Sequence, residues 1–267
     1  METSRLKNIM ILLLVLVNLF LLGFLGVRLS SEYTAQRRTV SELTSLFAAD
    51  GVTLEEGAVV FGTPPQALTL TRDIELDQKM ASFFLGSTVS VSDEGGGIYT
   101  FTSPVGQLDS RASGSFQATG DLGTDLAAIC RKFCQSYGYR DLVMDFDKTG
   151  TGTATATQYV NDYPVVGCTV TFQATDGEFR SVSGTRLPSG GTATADSSSL
   201  SAVTALTTFL ETRRAEGAVV SVVSSVTACY MLQSSAASPM ALVPVWQLST
   251  DTADYYVNCS TGVVTHK

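Results

Sequence analysis

Residues Ile9 to Val27 form an almost unbroken apolar run, interrupted only by Asn18, Gly23 and Gly26. At about 1.5 Å of rise per residue, such a run in helical form spans roughly 28 Å, close to the thickness of a bilayer's hydrocarbon core. Backbone polar groups in hydrocarbon must be satisfied internally, so the segment is restricted to a helix if it enters lipid. A cleaved signal peptide is the rival reading. Its apolar region is usually about 7–15 residues and it exits through small residues. Here the run is longer and leaves through Val27-Arg28-Leu29-Ser30-Ser31, so the pattern favours a retained anchor. Arg5, Lys7 and the amino terminus precede the run with only Glu2 opposing them. The excess of positive charge places the N-terminus in the cytoplasm and the larger C-terminal part outside.

Within the run, Asn18 is a polar amide that gains from a hydrogen-bonding neighbour helix, and Gly23 and Gly26 permit close approach of a second helix. These three residues are the candidate partner-binding positions.

The remainder is acidic, with a net charge of -8 over the whole chain. A nucleic-acid interface needs a basic footprint, so that class is excluded. The chain beyond the run is long enough to bury a core. Ser31 to Ala49 carries Val40, Leu43, Leu46 and Phe47 at helical spacing, and Asp50-Gly51 closes it. Leu76 to Leu85 repeats that spacing with Met80, Phe83 and Phe84. The period then changes to two: residues 88–92 and 98–102 alternate around an Asp93–Gly97 turn, and a further strand is expected over 113–119.

The same order recurs twice. Leu122, Leu126, Ile129, Cys130, Phe133 and Tyr137 mark an amphipathic helix closed by Gly138, followed by strands at 142–146, 152–160, 165–174 and 179–187. After a Gly/Ser/Thr-rich stretch, Val203, Leu206, Phe209 and Leu210 mark another helix. Strands follow at 218–232, 242–249, 254–259 and 263–264. The fold class read from this order is α+β: an N-terminal transmembrane helix, then repeated helix-plus-antiparallel-sheet subdomains. The segments are a tail 1–8, a transmembrane helix 9–27, a juxtamembrane helix 28–50, subdomains 51–119 and 120–188, a linker 189–199, and a third subdomain 200–267.

No constellation carries chemistry. The five cysteines are Cys130, Cys134, Cys168, Cys229 and Cys259. Cys130 and Cys134 share a helix face and read as small buried hydrophobes rather than a metal or redox pair, because no second close pair completes a zinc site. A Cys229–Cys259 disulfide is left open. Asp141, Asp145 and Asp147 flank a strand beside Lys148, and Glu55-Glu56 and Asp93-Glu94 sit in turns. All read as solvated edges rather than cation or acid/base sites. His266 is the only histidine and lies next to the C-terminus, in a tail expected to be loose, so it is a poor base for a serine nucleophile. Gly95-Gly96-Gly97 joins two strands and lacks the lysine of a phosphate-binding loop. Trp246 and Tyr255-Tyr256 suit packing across a hairpin better than a ligand groove. The expectation is a non-enzyme without metal or cofactor.

Three strings carry a family resemblance. The N-terminal Met1-Glu-Thr-Ser-Arg-Leu-Lys-Asn-Ile-Met10, leading into Asn18-Leu-Phe-Leu-Leu22, resembles the YycI proteins. Those belong with the YycH proteins among regulators of the essential cell-wall two-component system of Gram-positive bacteria. Gln158-Tyr-Val-Asn-Asp-Tyr-Pro-Val-Val-Gly167 is similar to that family's strand-turn-strand. So is Pro244-Val-Trp-Gln-Leu248 followed by Tyr255-Tyr-Val-Asn258 and Thr261-Gly-Val-Val264, a pattern also found in PepSY-type modules. The resemblance covers the apolar run and about half of the rest. It implies PepSY/cystatin-like subdomains, no catalytic residues, and pairing of the membrane helix with a YycH-like protein and a sensor histidine kinase. A second expectation from the same strings is a PepSY-like binding or protease-inhibitory module tethered to the membrane.

Overall fold

The structure is a computed structural model and describes residues 2–188, 191–194, 199–235 and 238–266. It is an α+β fold built on one large, mostly antiparallel sheet of fifteen strands. Helix α1 (Glu2–Ala49) leads into β1 (Thr53–Leu54), β2 (Leu68–Leu70) and α2 (Ile74–Leu85). Strands β3 (Ser90–Gly95), β4 (Ile98–Ser103), β5 (Gly106–Arg111) and β6 (Ser115–Gly120) follow. Helix α3 (Leu126–Tyr137) precedes β7 (Tyr139–Phe146), β8 (Gly152–Val160), β9 (Tyr163–Thr175) and β10 (Glu178–Thr185). The last elements are β11 (Gly191–Ala193), α4 (Ala202–Glu216), β12 (Val222–Ser235), β13 (Ser238–Thr250), β14 (Asp254–Asn258) and β15 (Val264–His266).

Each of α2, α3 and α4 is started by a side chain that accepts a free backbone N–H. Asp73 accepts from Glu75, Asp125 from Ala128, and Ser201 from Thr204. Such a cap contributes about 1 kcal/mol. At the other end Gly138 and Gly217 take the left-handed conformation that stops α3 and α4, at φ 72° and 67°.

After each of these helices comes a run of four neighbouring antiparallel strands. The α2 run is β3-β4-β5-β6. The α3 run is β7-β8-β9-β10. The two meet through antiparallel pairing of their last strands, β6 and β10. The resulting sheet is covered on one face by α2 and α3. Phe133 of α3 lies at the centre of that core, with its ring 4.7–5.6 Å from the rings of Phe83, Phe84, Tyr137, Tyr139 and Phe172. It is fully buried. Truncating a phenylalanine at such a site costs about 3–5 kcal/mol.

The α4 run is β12-β13-β14-β15. Its core gathers Leu206, Phe209 and Leu210 of α4, Val226, Trp246, Leu248 and Val257 of the strands, and Leu43 and Phe47 from the end of α1. Two short strands reach it from earlier in the chain. β1 pairs parallel with β12, and β2 inserts between β11 and β13. Thr53, Leu54, Val59 and Leu68 to Leu70 therefore pair with the C-terminal strands, across the boundary that chain order draws at residue 51. The expected linker 189–199 contains β11, while residues 189–190 and 195–198 lie outside the described ones.

Strand β9 joins the halves. Val165 and Val166 pair parallel with Tyr230 and Met231 of β12, while Val170 to Thr175 pair with β10. Between these stretches Gly167 adopts φ +77°, a conformation open to glycine, so the strand can change partners.

The end of α1 is held firmly. Phe47 stacks on Phe209 with ring centroids 6.5 Å apart. Arg214 gives two hydrogen bonds to the Asp50 carboxylate at 2.6 and 2.5 Å, and Arg213 reaches the Asp50 carbonyl and the Val220 carbonyl. Arg214 holds the Asp50 carboxyl below the usual carboxylate range.

Candidate functional site

A cleft of about 710 Å³ opens where the two halves meet. Its walls come from six places in the chain: Leu68 and Leu70 of β2, Leu76 and Lys79 of α2, the Ser136–Gly138 end of α3, the Gln158–Asn161 turn, Arg186 to Pro188 after β10, and Gly191 of β11. This volume falls in the ordinary range for small-molecule sites.

Polar groups fix the walls. Gln158 is buried and works at both ends: its Nε2 donates to the Tyr137 carbonyl at 3.3 Å and its Oε1 accepts from the Leu187 amide at 2.9 Å. The Tyr139 hydroxyl donates to the Thr185 carbonyl at 2.8 Å. Burial raises both the Tyr137 and Tyr139 hydroxyl pKa values above the phenolic norm, so both stay protonated.

Beside the cleft lies a buried Arg–Asp–Arg group. Asp77 accepts from Arg186 Nη1 on one oxygen at 3.1 Å. On the other it accepts from Arg72 Nε and Nη2 at 3.1 and 3.0 Å. The side chains of Arg186, Asp77 and Arg72 are 6%, 12% and 20% exposed. Arg72 also donates to the Gly97 carbonyl and to Ser110 Oγ, so its donors are largely used. The Gly95–Gly97 turn thus ties a hairpin tip to Arg72. Arg186 sits over the Tyr137 ring at 5.5 Å. Among the described residues, Nη1 to Asp77 is its only guanidinium hydrogen bond. Two arginines against one aspartate leave this buried group with a net charge of +1.

None of these residues stands out in the sequence. Arg72 and Asp77 are five apart, but Arg186 is 109 residues beyond Asp77. Only topology brings them together. The closest sequence signal is Gln158, which begins the Gln158–Gly167 string.

Several other sequence candidates make local contacts. Asn18 lies on α1 and donates its amide to the Leu14 carbonyl at 2.8 Å, one turn earlier. That bond satisfies part of the amide within its own helix. The surroundings of Gly23 and Gly26 lie outside the described residues. The side chains at 2–9, 11–12, 22–23 and 25–33 are also outside them, and among the described residues no helix is long and apolar enough to cross a membrane. Asp147 caps its own turn, accepting from Thr149 and Thr151, which lowers its pKa. Asp141 accepts the Tyr159 hydroxyl. Asp93 accepts from the Gly95 amide. Among the described residues no cluster of metal-ligating side chains occurs.

All five cysteines are buried, and Cys130, Cys134, Cys229 and Cys259 are free thiols. Burial pushes Cys130 up to about 12 and Cys134 up to about 11, so neither is a ready nucleophile. The Cys229–Cys259 pairing is ruled out by the sheet. Cys229 packs with Val245 and Tyr256 on one face, whereas Cys259 packs with Trp246 and Val257 on the other. Trp246 is buried, and its indole N–H donates to the Leu200 carbonyl at 2.8 Å. His266 is held in β15 opposite Tyr255 rather than in a loose tail.

No known protein family's model matches the chain, and no curated protein matches it. Among solved structures, an uncharacterized protein from Eubacterium rectale ATCC 33656 is similar, with a TM-score of 0.42 and 12% identity over 80% of this chain and 85% of that one. A likeness that distant fixes neither fold nor function.

Proposed function

We propose that this chain is a membrane-anchored, non-catalytic regulator whose α+β domain lies outside the cell and whose α1 associates with a sensor histidine kinase and a YycH-like partner. The observation that carries the reading is the contrast along α1. Met10, Leu13, Leu14, Leu16, Leu19, Phe20 and Phe24 are exposed, while Leu43 and Phe47 are buried in the domain. A contiguous exposed apolar surface marks a membrane or partner contact. The described stretch 13–21 covers about 14 Å of helix rise, and the sequence continues apolar on both sides, to Ile9 and to Val27. Asn18, Gly23 and Gly26 are the proposed helix-contact residues. The repeated helix-plus-four-strand order supports PepSY/cystatin-like subdomains, which serve as binding modules rather than catalysts in this reading.

The clamp of Asp50 by Arg213 and Arg214 gives the anchor a mechanical connection to the domain. A load on the α4 sheet reaches α1 through Phe47 and Asp50 rather than through a slack tether. The test replaces residues 8–28 with an unrelated apolar helix in the full-length protein and measures kinase output in the host cell. Output should change while the protein stays in the membrane fraction. Unchanged output removes the helix-contact mechanism, and recovery of the native chain from the supernatant, cut just past residue 30, removes the anchor.

A further inference from the structure

We propose that the cleft between the two halves binds a small monocarboxylate with an apolar body, gripped by Arg186. The charge balance selects the head group. The buried Arg72–Asp77–Arg186 group carries one uncompensated positive charge, and burying such a charge is costly unless it is paired. A single carboxylate closes it to neutrality, and a guanidinium fork suits that head group well. A dianionic phosphate would overshoot, since Lys79, the other cation lining the cleft, is exposed to solvent and weakened by it.

The donors are in place. Arg186 lines the cleft, is nine-tenths buried, and uses Nη1 on Asp77, leaving its other guanidinium N–H groups without a partner among the described residues. The Tyr137 ring lies under the guanidinium, 5.5 Å from its carbon, and helps hold it in place. The walls select the body: Leu68, Leu70, Leu76, Val160 and Leu187 offer an apolar surface to a chain or side chains attached to the carboxylate. A peptide C-terminus and a medium-chain fatty acid share this chemistry. Because β2 pairs with the C-terminal strands and α2 covers the other half, an occupant touches both halves at once. The proposal concerns the cleft alone and does not depend on the membrane reading.

The test is calorimetric titration of the full chain in zwitterionic lipid nanodiscs, with empty discs as the blank. One arm uses N-acetyl-leucyl-leucine and the other octanoate, each against its neutral amide. A carboxylate should bind at least tenfold tighter than its amide in one arm or both, and the arm that responds names the source. Arg186→Met should lose at least tenfold in affinity. Lys79→Glu, on an exposed helix face where folding is undisturbed, should lose at least threefold, while Lys148→Glu, remote from the cleft, should match the parent. Binding of acid and amide within twofold of each other would overturn the proposal. So would no binding of either acid at millimolar concentration, or unchanged affinity in both cleft variants. If the chain stays soluble without lipid, the same titration in buffer reads the cleft while the anchor reading fails separately.

Discussion

Charge counting at the buried Arg72–Asp77–Arg186 group predicts that removing its acid is far worse than removing one of its bases. In Asp77→Asn, two guanidiniums remain where a carboxylate had bridged them, each previously bonded at 3.0–3.1 Å. Breaking a buried ion pair from one side costs about 3–5 kcal/mol. Arg72 is the more exposed of the two bases and can recover some hydration, so the lower part of that range, about 3–4 kcal/mol, applies. In Arg186→Met the arithmetic reverses. The Arg72–Asp77 pair survives as a neutral unit, and one excess buried positive charge disappears. Against that gain, several kcal/mol for a buried ion, stand the lost cation–π contact with Tyr137, worth about 0.5–2 kcal/mol, and the lost Arg186–Asp77 hydrogen bond, worth about 1.5–3 kcal/mol. The net change should lie within about 1 kcal/mol of zero. Urea denaturation followed by far-UV circular dichroism and by the fluorescence of the single tryptophan, Trp246, measures both. With a slope near 2.5 kcal/mol per molar, Asp77→Asn should lower the midpoint by roughly 1–2 M and Arg186→Met by less than about 0.5 M. Equal losses in the two variants would refute the charge argument. It would mean that Arg186 is retained for folding rather than for an occupant of the cleft.

Two further outcomes follow from the titrating groups. Asp50 is held down by Arg214, Asp147 by Thr149 and Thr151, and Asp251 by the Ser221 and Val222 amides. Their folded pKa values lie below the unfolded value of 3.8. The stability they add is complete above that value and is lost as pH falls through the folded ones. The denaturation midpoint should therefore drop steeply below about pH 4, and Asp50→Asn should flatten the drop; an unchanged slope in that variant would exclude Asp50 as a contributor. Cys130, Cys229 and Cys259 are pushed up to about 12 and Cys134 to about 11. Iodoacetamide at pH 8 should leave these four unlabelled in the native chain and label them fully in denaturant, and mass spectrometry showing rapid native labelling of any of them would contradict their burial.

The sequence made the local elements readable and hid the assembly. Helical spacing at Met80, Phe83 and Phe84, at Ile129, Cys130, Phe133 and Tyr137, and at Leu206, Phe209 and Leu210 located α2, α3 and α4, because each helix has a single core to face. The alternation around Asp93–Gly97 located β3 and β4 for the same reason. Strand β5 was missed: Gly106-Gln-Leu-Asp-Ser-Arg111 places only Leu108 and Ser110 inside, so its apolar signal is one residue. Pairing across long distances left no local mark. β2 carries Leu68 and Leu70, enough to call a strand, but nothing in those letters says that its neighbours are β11 and β13. The candidate site belongs to this second kind of information. Arg186 follows a strand that looks like any other, and Asp77 sits among helix-favouring residues on an acidic first turn where a carboxylate has its own local reason to be. Each is ordinary in its segment. The site arises because β6 and β10 pair antiparallel, which carries the end of β10 back to the start of α2 and closes a positive charge into the seam between the halves. A sequence pattern confined to one element cannot encode that seam, so a search for motifs passes over it even where every strand and helix is read correctly.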